Sequence, residues 1–231
     1  MADLLENNSP LEFLDLSYNE LSDEDCKQIK RGLESNQTLK TLNLRGNQIS
    51  ERGCEYLASA LTTNMHLQTL DISHNTIGDC GASSFCHILS DYDNLKELHL
   101  EKCGITDKGC VAISDALTSN HSLAALYLSN NTIRDEGCEA LADFLTTNNS
   151  LQTLYLNLCS INRSGLHRLL VVLCHDNFSL RTLGVCYNNI ETNNDDLVQD
   201  GFEAVDIRNA LNRALEYNTD RKILTWGKAL C

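Results

Sequence analysis

The sequence predicts a right-handed α/β solenoid, with parallel strands on a concave face and helices on a convex face. Three observations predict it: a leucine signature that recurs every 28 residues, apolar alternation inside that signature, and a helical apolar register in the stretch that follows it. The signature has the form L-x-x-L-x-L-x-x-(N/C)-x-(I/L). It begins at Leu11, Leu39, Leu67, Leu95, Leu123, Leu151 and Leu180, and only the last step lengthens, to 29.

Within each signature the alternating leucines share one side, as a short strand requires. The ninth position supplies Asn19, Asn47, Asn75, Cys103, Asn131, Cys159 and Asn188. A buried Asn there can satisfy backbone groups where the chain leaves the strand, and its repetition predicts a ladder along the solenoid.

After each signature, apolar residues fall at i, i+3, i+6 and i+7. Examples are Cys54, Leu57, Ala60 and Leu61, then Ala82, Phe85, Ile88 and Leu89, then Cys110, Ile113, Ala116 and Leu117. This is one face of a helix. Parallel strands stack at about 4.8 Å, whereas packed helices need about 8–10 Å, so the array must bend with its strands inside. The wider helix spacing also holds Cys26, Cys54, Cys110 and Cys138 apart. Disulfides between repeats are therefore not expected.

The chain reads as a single domain over 1–231. Residues 1–10 align with the end of a helix and form a partial N-terminal repeat, and 11–190 hold the seven strand units. An acidic insertion follows at 191–204, then a C-terminal cap at 205–231, with a helix from Val205 to Tyr217 and a degenerate strand at Ile223-Leu224-Thr225-Trp226. Asp196 and Asp200-Gly201 look like parts of a calcium loop, but Val198 and Ile207 stand where oxygen ligands belong, so the segment reads as a solvated loop. The bare N-terminal repeat suggests a larger parent protein, a short array, or weak self-association of an otherwise monomeric chain.

Composition narrows the function. With 42% hydrophobic residues, 231 residues suffice for one elongated core and leave no room for a separate catalytic domain. The net charge of −14 repels a phosphate backbone, so nucleic acid is not expected as a partner. No apolar run approaches the roughly 20 residues that span a bilayer, and no secretory signal opens the chain. The expected setting is cytoplasmic, with no membrane contact and eleven reduced cysteines serving mainly as small core residues. No Gly-rich phosphate loop, Cys-x-x-Cys pair, His-Glu-x-x-His motif or nucleophile elbow occurs, and the seven His lack ligand spacing. No enzyme activity, cofactor or metal is expected.

The pattern resembles the ribonuclease-inhibitor class of leucine-rich repeats, found also in cytosolic nucleotide-binding immune receptors and in the Ran GTPase-activating protein. The marks that carry the resemblance are the 28-residue period, a Gly opening the helix at Gly53, Gly81, Gly109, Gly137 and Gly165, and Cys in place of Asn at Cys103 and Cys159. It implies a leucine-rich-repeat horseshoe that binds protein on its strand face. Two alternatives are a GTPase-activating or regulatory protein like that for Ran, and a pathogen effector engaging a host protein. A single-turnover GTP hydrolysis assay separates the first from a pure binder.

Exposed strand positions of neighbouring repeats form columns, and these are where candidate binding residues must lie. One column runs Phe13, Thr41, Thr69, Glu97, Ala125, Thr153, Thr182, and the next Asp15, Asn43, Asp71, His99, Tyr127, Tyr155, Gly184. A third runs Ser17, Arg45, Ser73, Glu101, Ser129, Asn157, Cys186, followed on the rim by Tyr18, Gly46, His74, Lys102, Asn130, Leu158, Tyr187. His99, Tyr127 and Tyr155 fall on three successive strands. With Leu158, Tyr187, Glu97 and Glu101 they make an aromatic, acid-flanked patch of the kind that anchors protein interfaces. Glu97, Glu101, Asp71 and Asp15 outnumber Arg45 and Lys102, so the expected partner surface is neutral to basic.

Overall fold

In the computed structural model, described residues are Leu5, 10–189 and the backbone of Ile223–Thr225. The acidic insertion, the calcium-loop segment, the helix expected from Val205 and the placement of Trp226 lie outside them, as does most of the partial N-terminal repeat.

Each leucine signature forms one three-residue strand: β1 Phe13–Asp15, β2 Thr41–Asn43, β3 Thr69–Asp71, β4 Glu97–His99, β5 Ala125–Tyr127, β6 Thr153–Tyr155 and β7 Thr182–Gly184. An eighth, β8 at Ile223–Thr225, pairs parallel with β7. The strands lie in chain order in one open parallel sheet. Register advances by one repeat per strand, so Leu98 sits opposite Leu126, and His99, Tyr127 and Tyr155 are successive cross-strand partners. The inward leucines, among them Leu42, Leu44, Leu98, Leu100, Leu126 and Leu128, are fully buried.

The intervening stretches form the helices α1 Asp23–Ser35, α2 Glu51–Leu61, α3 Gly78–Ser83, α4 Cys86–Asp91, α5 Asp107–Leu117, α6 Arg134–Leu145 and α7 Arg163–His175. Their buried faces follow the expected register, as with Cys54, Leu57, Ala60 and Leu61 on α2. The third unit departs from expectation, because two short helices replace one. Ser83 and Ser84 each turn a hydroxyl back onto the carbonyl four residues earlier, at 2.8 and 3.2 Å, competing with the helical ladder at the point where it breaks. Phe85 stays fully buried at the joint, so the core register survives the break.

Two Asn ladders and an Asp series join the repeats. In the first, Asn131 donates to Leu100 O and Leu128 O, both at 2.8 Å, and accepts from Cys103 N at 3.0 Å and Ile105 N at 3.1 Å. Asn47 and Asn188 make equivalent sets. The second is built from Asn36, Asn64, Asn120, Asn148 and Asn177 at the helix exits. Asn148, for example, donates to Leu117 O and Asn120 O of the preceding repeat. Tyr92 stands where this column expects Asn, in the unit whose helix is broken, and Asn94 takes over the contact to Asn64 O.

In the Asp series, a first-turn Asp caps the next helix. Asp79 accepts from Thr106 N and Oγ1, both at 2.7 Å, and from Gly109 N at 3.1 Å. A Cβ on Gly109 would lie 2.6 Å from the Asp79 carboxylate, so a side chain there would force this cap apart.

Cysteine at the ninth position changes the repeat before it. A thiol accepts hydrogen bonds weakly, and Cys103 and Cys159 act as donors, to Ile72 O at 3.5 Å and Leu128 O at 3.3 Å. The preceding loops turn through the left-handed region instead, at Gly78 (φ +61°) and Arg134 (φ +50°), and their N–H groups reach Cys103 O and Cys159 O, both at 3.0 Å. Gly accepts this conformation freely, whereas Arg carries a cost of roughly 1–2 kcal/mol. Arg134→Gly is therefore expected to stabilise the chain by about 1 kcal/mol, measured as a higher urea midpoint at unchanged slope.

Candidate protein-binding face

The parallel register places the exposed side chains of β4, β5 and β6 in rows across the strands. His99 and Tyr127 stack with centroids 4.0 Å apart and planes inclined by 7°. Tyr127 and Tyr155 continue the row at 5.3 Å, again inclined by 7°. On β7 the same position is Gly184, and any Cβ there would collide with the ring of Tyr155. The row is thus His99, Tyr127, Tyr155, with the last ring resting against bare backbone. Ring faces are taken up by stacking, so the edges and hydroxyl tips are what the row presents outward.

Burial first, then Glu97, Tyr155 and Glu101, raises the Tyr127 pKa, which keeps the phenol a neutral hydrogen-bond donor. Glu97 stands beside the row, its carboxylate 3.6 Å from His99 Nε2 and its side chain 46% exposed. Glu97 faces Ala125 across the strands, and Ala125 is buried.

Glu101 is placed differently from Glu97. Arg45 reaches across β3 to bind Glu101 Oε2 at 3.0 Å, lies 3.8 Å from Asp71 Oδ2, and contacts His74 Nε2 at 2.8 Å. Tyr18 OH closes the group at 3.4 Å from Arg45 Nε. Burial, followed by the Arg45 and Lys102 charges, lowers the His74 pKa, so its neutral ring accepts from the guanidinium. The acidic flank therefore divides into Glu101, held by Arg45, and Glu97, left open toward solvent.

Leu158 and Tyr187 lie on the rim, about half exposed, next to the Tyr155 end of the row. Every rim position from Tyr18 to Tyr187 has positive φ, including Leu158 at +56° and Tyr187 at +59°. The turn leaving each strand imposes this conformation whatever the residue, and Leu is costly in it.

Among the described residues, no cluster of three or more His, Cys, Asp or Glu could hold a metal ion, and no helix is long and apolar enough to cross a membrane. A family model for Leucine Rich repeat matches at residues 7–29, 35–58, 63–86, 94–114 and 119–142, half of the chain. The chain belongs to the leucine-rich-repeat family.

No curated relative matches this leucine-rich-repeat chain in sequence. Among solved structures it is similar to leiomodin-1 actin-binding site 2, with 17% identity, coverage of 95% of this chain and 88% of that one, and a TM-score of 0.40. It is similar also to the tropomodulin C-terminal domain of Caenorhabditis elegans, with 17% identity, coverage of 86% and 94%, and a TM-score of 0.49. Likenesses of this degree say nothing of function.

Of the residues singled out in the sequence, His99, Tyr127 and Tyr155 come together as one row, with Glu97 beside it and Leu158 and Tyr187 at its rim end. Glu101 joins the Arg45 group instead. Sequence reasoning put Arg45 and His74 in separate columns and missed their contact, because it depends on side-chain reach across β3. Gly184 was visible as a gap in the aromatic column, and that gap was the available signal that the row ends over backbone.

Proposed function

We propose that this leucine-rich-repeat chain is a non-catalytic scaffold that binds a protein partner on its concave face, with the His99–Tyr127–Tyr155 row as the anchor. One observation carries the reading: three stacked, nearly parallel rings on adjacent strands turn their outer edges away from the core. Rigid, part-buried Tyr rings provide contact area at low entropic cost, which is why such residues dominate interface energetics. Leu158 and Tyr187 extend the anchor, and Glu97 and Glu101 supply the acidic flank for a neutral to basic partner surface. The 28-residue period and the Cys103 and Cys159 substitutions support placement in the ribonuclease-inhibitor class. Fully buried thiols in the core suit a reducing compartment and support a cytoplasmic location.

Tyr127→Ala combined with Tyr155→Ala is expected to weaken partner binding by more than ~2 kcal/mol while leaving the unfolding free energy from urea titration within about 1 kcal/mol of the parent. Calorimetric titration of any partner captured by the parent chain checks this. Equal affinity in the double variant moves the interface off this face.

A further inference from the structure

The open and closed acids of the face have a consequence for what the partner must look like. Glu101 is held by Arg45 at 3.0 Å and lies on the same side of the sheet as Asp71, which the same guanidinium also approaches. Among the described residues, Glu97 has no basic side chain within ion-pairing distance apart from His99 at 3.6 Å. Its sequence neighbour Lys96 is turned onto Asp93 O at 3.3 Å. Negative charge is therefore available at the strand-start end of the row. At the opposite, rim end the exposed groups are Lys102, Asn130, Leu158 and Tyr187, three of them uncharged. The face is polarised, with a carboxylate at one corner and exposed apolar side chains at the diagonal corner.

We propose that the site takes an extended peptide segment with a basic residue at one end, seated against Glu97, and a large apolar residue at the other, seated on Leu158 and Tyr187. The proposal rests on the reading of the concave face given above. Its spacing follows from the sheet. Glu97 on β4 and Leu158 beyond β6 are separated by two strand spacings, roughly 10 Å, and by about five residues along the strand direction, roughly 15 Å. The diagonal is on the order of 18 Å, which an extended chain spans with about five to six residues. Between the two anchors the segment crosses the edges of Tyr127 and Tyr155, whose hydroxyls face backbone carbonyls of a chain laid across them. The aromatic faces are stacked on one another, so the basic residue binds by its ion pair with Glu97 and not by lying over a ring. The charge asymmetry also fixes polarity in space: the reverse placement sets the basic group near Lys102 and the apolar group beside an exposed carboxylate.

The test is selection of a phage-displayed library of random 12-residue peptides on the full chain, followed by affinity measurement of the selected peptides as synthetic probes. Enrichment of Arg or Lys about five to six positions from Leu, Phe, Met or Trp is expected. Glu97→Arg should weaken these probes at least ~10-fold and shift a new selection toward acidic residues at that position. Leu158→Asp should weaken them similarly without altering the basic preference. Probes that lose affinity with Tyr155→Ala but are indifferent to Glu97→Arg overturn the bipartite motif and leave the concave site standing. Probes indifferent to Tyr127→Ala and Tyr155→Ala overturn the concave site itself, and failure to enrich any peptide on the parent chain overturns the motif. Far-UV circular dichroism and the urea midpoint of each variant confirm that the fold is retained.

Discussion

Raising the pH from 8 to 10.5 under reducing conditions is expected to unfold this chain, because six fully buried thiols cannot ionise without leaving the core. Burial pushes Cys26, Cys103 and Cys159 up to about 12 from an ordinary value of 9.0. It moves Cys54, Cys110 and Cys138 further in the same direction. A pKa raised in the folded state means that stability is fully present below about 9 and falls as pH climbs toward the folded value. In that window the unfolded chain has given up its thiol protons and the native chain has not. Each thiol then costs about 1.4 kcal/mol per pH unit, and six acting together cost on the order of 5–8 kcal/mol per unit. Domains of ordinary stability hold about 5–15 kcal/mol, so the urea midpoint should collapse near pH 10. Replacing two of the six, Cys54→Ala with Cys138→Ala, should lower stability at pH 7 but flatten the decline between pH 9 and 10.5 by about a third. A decline of the same steepness in that variant would show that groups other than the thiols drive the alkaline transition.

Asn131→Ala is expected to cost roughly 4 kcal/mol, more than its volume implies. The amide is buried and has four partners, and its removal leaves Cys103 N and Ile105 N as donors without acceptors inside the solenoid, each worth about 1–3 kcal/mol. Asn131→Cys should be nearly as damaging, at about 3 kcal/mol, although Cys occupies the same position in two other repeats. Those repeats succeed because Gly78 and Arg134, earlier in the chain, turn through positive φ and send their N–H groups to the cysteine carbonyl. The equivalent loop before Asn131 instead has Thr106 as an extended N-cap, with Ile105 N directed at the Asn131 side chain. Urea unfolding of both variants measures the difference, and a cost below about 1 kcal/mol for the Cys variant would show that loop and ninth position are independent.

The same contrast separates the parts of the candidate site. The stacking of His99, Tyr127 and Tyr155 was legible because a constant 28-residue step in a parallel sheet converts sequence position directly into spatial neighbourhood. Leu158 and Tyr187 were legible on the rim for the same reason. The division between Glu97 and Glu101 was not, since it depends on which carboxylate a long Arg45 side chain can reach across an intervening strand.

The sequence by itself determined the repeat, the strand register, the buried helix faces and the composition of each exposed column, because every one of these follows from periodicity. Only the tertiary structure decided where the third helix breaks, how the ninth-position Cys is accommodated by the loop before it, and which acid of the face stays open. These are outcomes of competing hydrogen bonds and side-chain reach between repeats, and such competition leaves no period in the chain to read.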